Sequence, residues 1–235
     1  MDESMWERYG ATAGILFVVL LVGSFFLTSA PPHIDASVDK IATFFGDHRK
    51  AILTEQVLGT FAVVFFVWFV GHLRHVLERA EGGTEAMSPI VYGSGIALAA
   101  AGAVAALPIT VLAFSANQSD VMKNAGLVRA LYNANGIVLG IMMILCGLFV
   151  ASAGYAMVRK EMVAPWLGWA GLAVALIDWV VGAEAFYQNT YNSFWNAAGY
   201  VGFLGFAAFV LVMSIQMVRQ PEATRRTAPT PVFGS

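Results

Sequence analysis

The chain has 235 residues, 58% of them hydrophobic and only 12% charged, with a formal net charge of −2. Soluble domains carry roughly 25% charged residues, so this composition excludes a water-soluble surface and points to the bilayer as solvent. No basic field exists to attract nucleic acid, and the single cysteine, Cys146, excludes an internal disulfide or a cysteine-built zinc site.

A span needs about 20 mainly apolar residues to cross roughly 30 Å of hydrocarbon. Six stretches qualify, at 11–30, 51–71, 90–114, 128–153, 165–187 and 194–218. Their apolar runs are continuous rather than alternating, which excludes barrel strands. Lipid offers the backbone no hydrogen-bond partner, so each run must be a helix. The expected fold is all-α: a polytopic transmembrane helical bundle of about six spans with both termini on one side. Residues 1–218 would form a single membrane domain, and 219–235, rich in Pro, Thr and Arg, a disordered tail.

The first span ends in Thr28-Ser29-Ala30, a faint cleavage signal, but Pro31 follows it and Asp2, Glu3 and Glu7 precede the apolar run. A retained helix is expected. Residues 31–50 then make the longest outer connection. Pro31-Pro32 stops the helix, Ser37 can cap a short one, and Ile41, Phe44 and Phe45 give that helix an apolar stripe. It would lie on lipid headgroups or form a lid over an outer cavity, with Asp47 capping the second span. His72 and His75 end that span beside Arg74. Their spacing permits a metal, but neutralising terminal carbonyls is the simpler role, and no metal or cofactor is expected.

Residues 78–88 read as a flexible cytoplasmic loop. The third span is rich in small residues (Gly93, Ser94, Gly95, Ala97, Ala99 to Ala103), and Pro108 should kink it. Gly136 and Gly140 form a GxxxG in the fourth span, explained by dimerisation or by packing within one bundle. Pro165 suits the first turn of the fifth span. Orientation follows from Lys and Arg in the connections. Arg8, Arg74, Arg79, Arg159, Lys160, Arg219, Arg225 and Arg226 would share the side of the termini, against Lys40, Arg49, Lys50, Lys123 and Arg129. That imbalance places both termini in the cytoplasm of a cell with its plasma membrane as host.

Of the charged side chains, only Glu55, Asp178 and Glu184 fall within spans away from the basic ends. Each costs about 2.5–3.5 kcal/mol by insertion scales and so marks a candidate site. Asp178 lies about 20 Å along its span from Pro165, in the outer half. At similar depth sit Gln56, Tyr132, Asn133 and Asn135, and then Tyr187, Gln188, Asn189 and Tyr191. Asn192, Asn196 and Tyr200 recur at four-residue spacing, which puts them on one helical face. The candidate ligand-binding set is therefore Glu55, Gln56, Tyr132, Asn133, Asp178, Glu184, Asn192, Asn196 and Tyr200, lining an outward-facing polar cavity. A plainer reading makes Tyr191 and Trp195 interfacial anchors and the asparagines helix caps.

The start Trp6-Glu7-Arg8-Tyr9, the connection from Pro31-Pro32 to His48-Arg49, and Phe69-Val70-Gly71-His72-Leu73-Arg74 carry a further signal. With them the chain resembles a group of uncharacterised six-span bacterial membrane proteins common in actinobacteria. The resemblance implies the fold and no activity. Three classes of function are compatible with the residues. They are binding or transport of a small or amphipathic ligand, an accessory or structural subunit of a homo-oligomer or larger membrane complex, and a membrane enzyme using Asp178 or Glu184 as acid or base. The first is favoured, because no phosphate loop, His-Glu-x-x-His or Gly-x-Ser-x-Gly motif occurs.

Overall fold

The structure, a computed structural model, describes residues 3–81, 87–160, 165–188 and 190–219. Within them the chain is helical, and no strand forms among the described residues. The elements are α1 (Glu3–Ser24), α2 (Val38–Asp47), α3 (Arg49–Glu81), α4 (Met87–Phe114), α5 (Ser119–Met122), α6 (Ala125–Lys160), α7 (Pro165–Glu184) and α8 (Ser193–Arg219). The region 219–235 expected to be a disordered tail lies, after Arg219, outside the described residues, as do residues 82–86 of the expected cytoplasmic loop.

Five helices are long and apolar enough to cross a membrane: α3, α4 with its following turn, α6, α7 and α8. The apolar part of α1 is shorter, Tyr9–Ser24. Its helix stops six residues before the expected end at residue 30. There the Ser24 hydroxyl donates to Leu21 O, and Phe26 N and Leu27 N bond three residues back rather than four, which unwinds the last turn. Pro108 is absorbed within the unbroken α4, where the Thr110 hydroxyl donates to Ala106 O at 2.7 Å.

The six long helices form a closed ring in chain order, and each seam is antiparallel. Phe17 meets Phe66 (α1 with α3), and Gly95 lies against Val70 (α3 with α4). Ser94 and Ser152 face each other (α4 with α6), and Gly171 lies against Phe209 (α7 with α8). Gly14 against Ser214 closes the ring between α1 and α8.

The tightest seam joins α6 to α7. Gly140, Gly147 and Gly154 recur every seven residues and face Gly182, Ala175 and Gly168, also seven apart. A Cβ on Gly154 would lie 2.7 Å from Gly168 O, and one on Gly182 would lie 2.8 Å from Gly140 O. The backbones therefore touch, which lets dispersion act where lipid supplies no hydrophobic drive, and the seven-residue repeat keeps the seam aligned. Gly140 thus serves packing inside the bundle, whereas Gly136 meets only Ile34.

Phenylalanines fill the axis of the ring. Phe17, Phe66, Phe149 and Phe206 come from α1, α3, α6 and α8, with Phe66 at 4.8 Å from Phe17, 5.4 Å from Phe149 and 5.9 Å from Phe206. All four are buried. The outward faces carry Val57, Phe61, Val64 and Trp68 on α3, Val104, Leu107 and Val111 on α4, and Leu176 and Val180 on α7. Such continuous apolar surface suits acyl chains rather than water.

A second, smaller core caps one end. Helix α2 begins at Ser37, whose hydroxyl accepts from Lys40 N as expected. Its stripe does not lie on headgroups: Ile41 and Phe45 are fully buried with Ile52, Leu112, Val128 and Tyr132. Since α3 starts at Arg49, His48 rather than Asp47 occupies the junction between the two helices. At the other end Glu81, 4% exposed, accepts from Ser88 N and caps α4. The histidines part company: His72 packs on Gly10 of α1, while His75 is exposed.

Candidate functional site

At the end that α2 covers, residues 25–37 cross the bundle as an irregular strap. Within it Ala36 N donates to His33 O at 3.0 Å, and side chains from the helices take up further backbone carbonyls. Arg129 sits one turn into α6 and donates from Nη1 to Ile34 O at 2.8 Å and from Nη2 to Ala36 O. Tyr132, on the next turn, donates its hydroxyl to Pro32 O. Thr28 donates to the Glu55 carboxylate at 2.8 Å. His48 donates from Nδ1 to Phe44 O, which leaves Nε2 to accept from the Ser29 hydroxyl at 3.3 Å. His33 stacks on Tyr191 with ring centroids 3.6 Å apart, and Tyr191 N donates to Asp35 Oδ2 at 3.3 Å.

Between this strap, α6 and the end of α7 lies a cavity of about 330 Å³. Its polar wall is Asp35, Arg129, Asn133 and Gln188, and its apolar wall is Ile34, Gly136, Ile137, Ala185 and Phe186. Gly136 presents no side chain to this space, and a Cβ there would meet only Ile34, at 3.7 Å. The volume falls at the small end of the range of about 300–1,000 Å³ typical of ligand sites. A second cavity, of about 340 Å³, is bordered by Val212, Ile215, Gln216 and Arg219 near the end of α8.

Asp178 occupies a different place. It is 1% exposed, in the middle of the α6–α7–α8 contact, and its Oδ1 presses on the bare backbone face of Gly202. Met143 lies beside Gly202, and the Cys146 thiol faces the carboxyl. No hydrogen bond of ordinary geometry reaches either carboxyl oxygen among the described residues. Asp178 lines neither of the two cavities.

The nine expected residues thus divide. Asn133 lines the cavity, and Tyr132 and Glu55 tie the strap above it. Gln56 is half-buried on α3, with its backbone carbonyl accepting from Thr60. Glu184 ends α7, half-buried, with Tyr187 N donating to its carbonyl. Asn192 caps α8, accepting from Phe194 N at 3.0 Å and Trp195 N at 3.4 Å. Asn196 and Tyr200 share a face, but it is the exposed one. Asn189 lies outside the described residues. In the sequence Arg129 stands out only as one of the cations opposite the termini, and Asp35, Gln188, Ile137 and Phe186 fall outside the nine. The available signal was the four-residue step from Arg129 to Asn133 to Ile137, which aligns cation, amide and hydrocarbon on one face of α6.

Length and hydropathy of its helices, together with the apolar outer faces, define a multi-pass helical membrane protein. No protein-family model, curated protein or solved structure matches the chain.

Proposed function

We propose that this protein spans the cell membrane six times and binds a small amphipathic ligand in the cavity beneath the strap. The observation that carries the reading is the cavity itself, with charged and amide groups on one wall and hydrocarbon on the other. Such a division suits a ligand with a polar and an apolar part. The sixth crossing is assigned to α1, which lies along both α3 and α8 and without which the Phe17 position in the axial cluster would open. Pairing of α1 with α8 supports termini on one side, and the balance of Lys and Arg supports the cytoplasm for that side. The strap and α2 then face outward, and the six-span bacterial proteins that the sequence resembles would share this plan.

Two measurements test it. A reporter active only in the cytoplasm should work at the C-terminal end and fail within residues 115–125. The full chain, purified in mild detergent, should carry a co-purifying small molecule or lipid that Ile137→Trp, which fills the cavity, removes. Equal ligand content in the variant would overturn the binding site.

A second reading, an accessory subunit of a larger assembly, draws on α4. Gly93, Ala100 and Ala103 are exposed there, and nothing lies within 4 Å of the Cβ position of Gly93. Small residues on an outer face permit close approach of another helix. Cross-linking through Ala100→Cys in native membranes would give a larger species under this reading and none under the first. The enzyme reading, with Asp178 or Glu184 as acid or base, has less support, because Asp178 is sealed by Gly202 and Met143.

A further inference from the structure

Arg129 and Asp35 both line the strap cavity, yet they do not pair with each other. The two hydrogen bonds of Arg129 go to strap carbonyls, and that of Asp35 comes from Tyr191 N. A guanidinium has five N–H donors, so three remain on Arg129 after those two bonds. Asp35 keeps its Oδ1 and the outer lone pairs of Oδ2. A cation and an anion with open valences on one wall of a cavity are complementary to a molecule bearing both charges, each facing its opposite.

The remaining wall tells where the rest of such a molecule goes. Arg129, Asn133 and Ile137 lie at four-residue steps on α6, so at ~1.5 Å per residue the ladder from guanidinium to hydrocarbon is about 12 Å long. Ile137 and Phe186, at its apolar end, are exposed on the outer surface of the bundle. Asp35 and Asn133 at its polar end are exposed as well, so the cavity is open along its length, and Ile34 of the strap forms part of its wall.

We propose that the cavity binds a zwitterion, its anionic group on Arg129, its ammonium on Asp35 and its apolar part along Ile137 and Phe186. The inference rests on the reading that this cavity is a ligand site and adds the charge pattern of the ligand. Two sources share that chemistry: a phosphoethanolamine lipid headgroup and a soluble molecule with the same ends. The hydrocarbon that Ile137 and Phe186 present on the outer surface favours the lipid.

The test uses the full chain in mild detergent and native mass spectrometry. Phosphatidylethanolamine, phosphatidylglycerol with the same acyl chains, and soluble glycerophosphoethanolamine are offered separately. Phosphatidylethanolamine should bind about fivefold better than phosphatidylglycerol, the size expected of one exposed charge contact near 1 kcal/mol. Asp35→Asn, which keeps an oxygen for Tyr191 N, should remove that preference, and Ile137→Trp should remove binding of both lipids. Glycerophosphoethanolamine binding as well as the lipid, with the same Asp35 dependence, would support the zwitterion and assign it to the soluble source. Equal binding of both lipids, unchanged in Asp35→Asn but lost in Ile137→Trp, would overturn the zwitterion and leave the ligand site standing. Binding that Ile137→Trp does not touch would overturn both.

Discussion

Asp178 shows what a single side chain can demand of its neighbour. Its carboxyl is accommodated because position 202 on α8 has no Cβ, and a methyl there would fall on Oδ1. Gly202→Ala is therefore expected to lower stability by about 1–3 kcal/mol through overpacking. Removing the carboxyl should relieve it: the double variant Asp178→Ala/Gly202→Ala should be more stable than the sum of the single changes by at least about 0.5 kcal/mol. Thermal unfolding in detergent measures all three, and strict additivity would mean that the two residues do not touch. The interior position of Asp178 was legible in the sequence, because the insertion cost leaves an acid no place on the lipid face. The fate of Asn196 and Tyr200 was not. Four-residue spacing says that they share a face, but Gly202, Phe206, Phe209 and Met213 take the inward one, and only the partner helices decide that. Arg129 was hidden for another reason: its partners are carbonyls of Ile34 and Ala36, over ninety residues away, and carbonyls leave no trace in side-chain patterns.

Helices follow the same division. Their existence was plain from length and hydropathy, whereas the facing of α2 was not, since an apolar stripe is equally suited to lipid and to Leu112, Val128 and Tyr132. The α6–α7 seam gives a direct contrast between glycines. Gly154→Ala brings a Cβ to 2.7 Å from a backbone oxygen that cannot swing away, and about 1–3 kcal/mol of destabilisation is expected. Gly93→Ala, with open space around it, should be neutral or stabilise by up to about 1 kcal/mol, because alanine restricts the unfolded chain and favours helix. Reversible unfolding in mixed micelles separates the two. Equal effects would mean that the two backbones of the seam do not touch. Sequence spacing marked Gly136 and Gly140 as a pair, but the working repeat is Gly140-Gly147-Gly154, with seven residues rather than four.

For the whole molecule, the axial phenylalanines decide whether the ring is a bundle or a pore. Phe66 contacts Phe17, Phe69, Phe149 and Phe206, and so joins four helices at one point. Phe66→Ala should cost about 3–5 kcal/mol, as large cavities in cores do. Phe61→Ala, on the exposed face of the same helix, should cost under about 1 kcal/mol. Similar losses at both positions, read as midpoints of thermal unfolding, would contradict a filled axis. Nothing in the sequence distinguishes Phe66 from Phe61. Both sit in one apolar run, and burial is conferred by the ring alone.

The ring order has a consequence for how the protein is made. Five of its six seams join long helices that follow one another along the chain, so each can dock as soon as the ribosome has released it, across connections far shorter than the stretch from α1 to α8. The seam between α1 and α8 is the exception. Until α8 arrives, Phe17 and Gly14 have no partner on that side, and α1 must wait against α3 through the synthesis of nearly the whole bundle. Closure of the axis thus waits for α8, and a chain stalled before α8 would present an open trough to the bilayer.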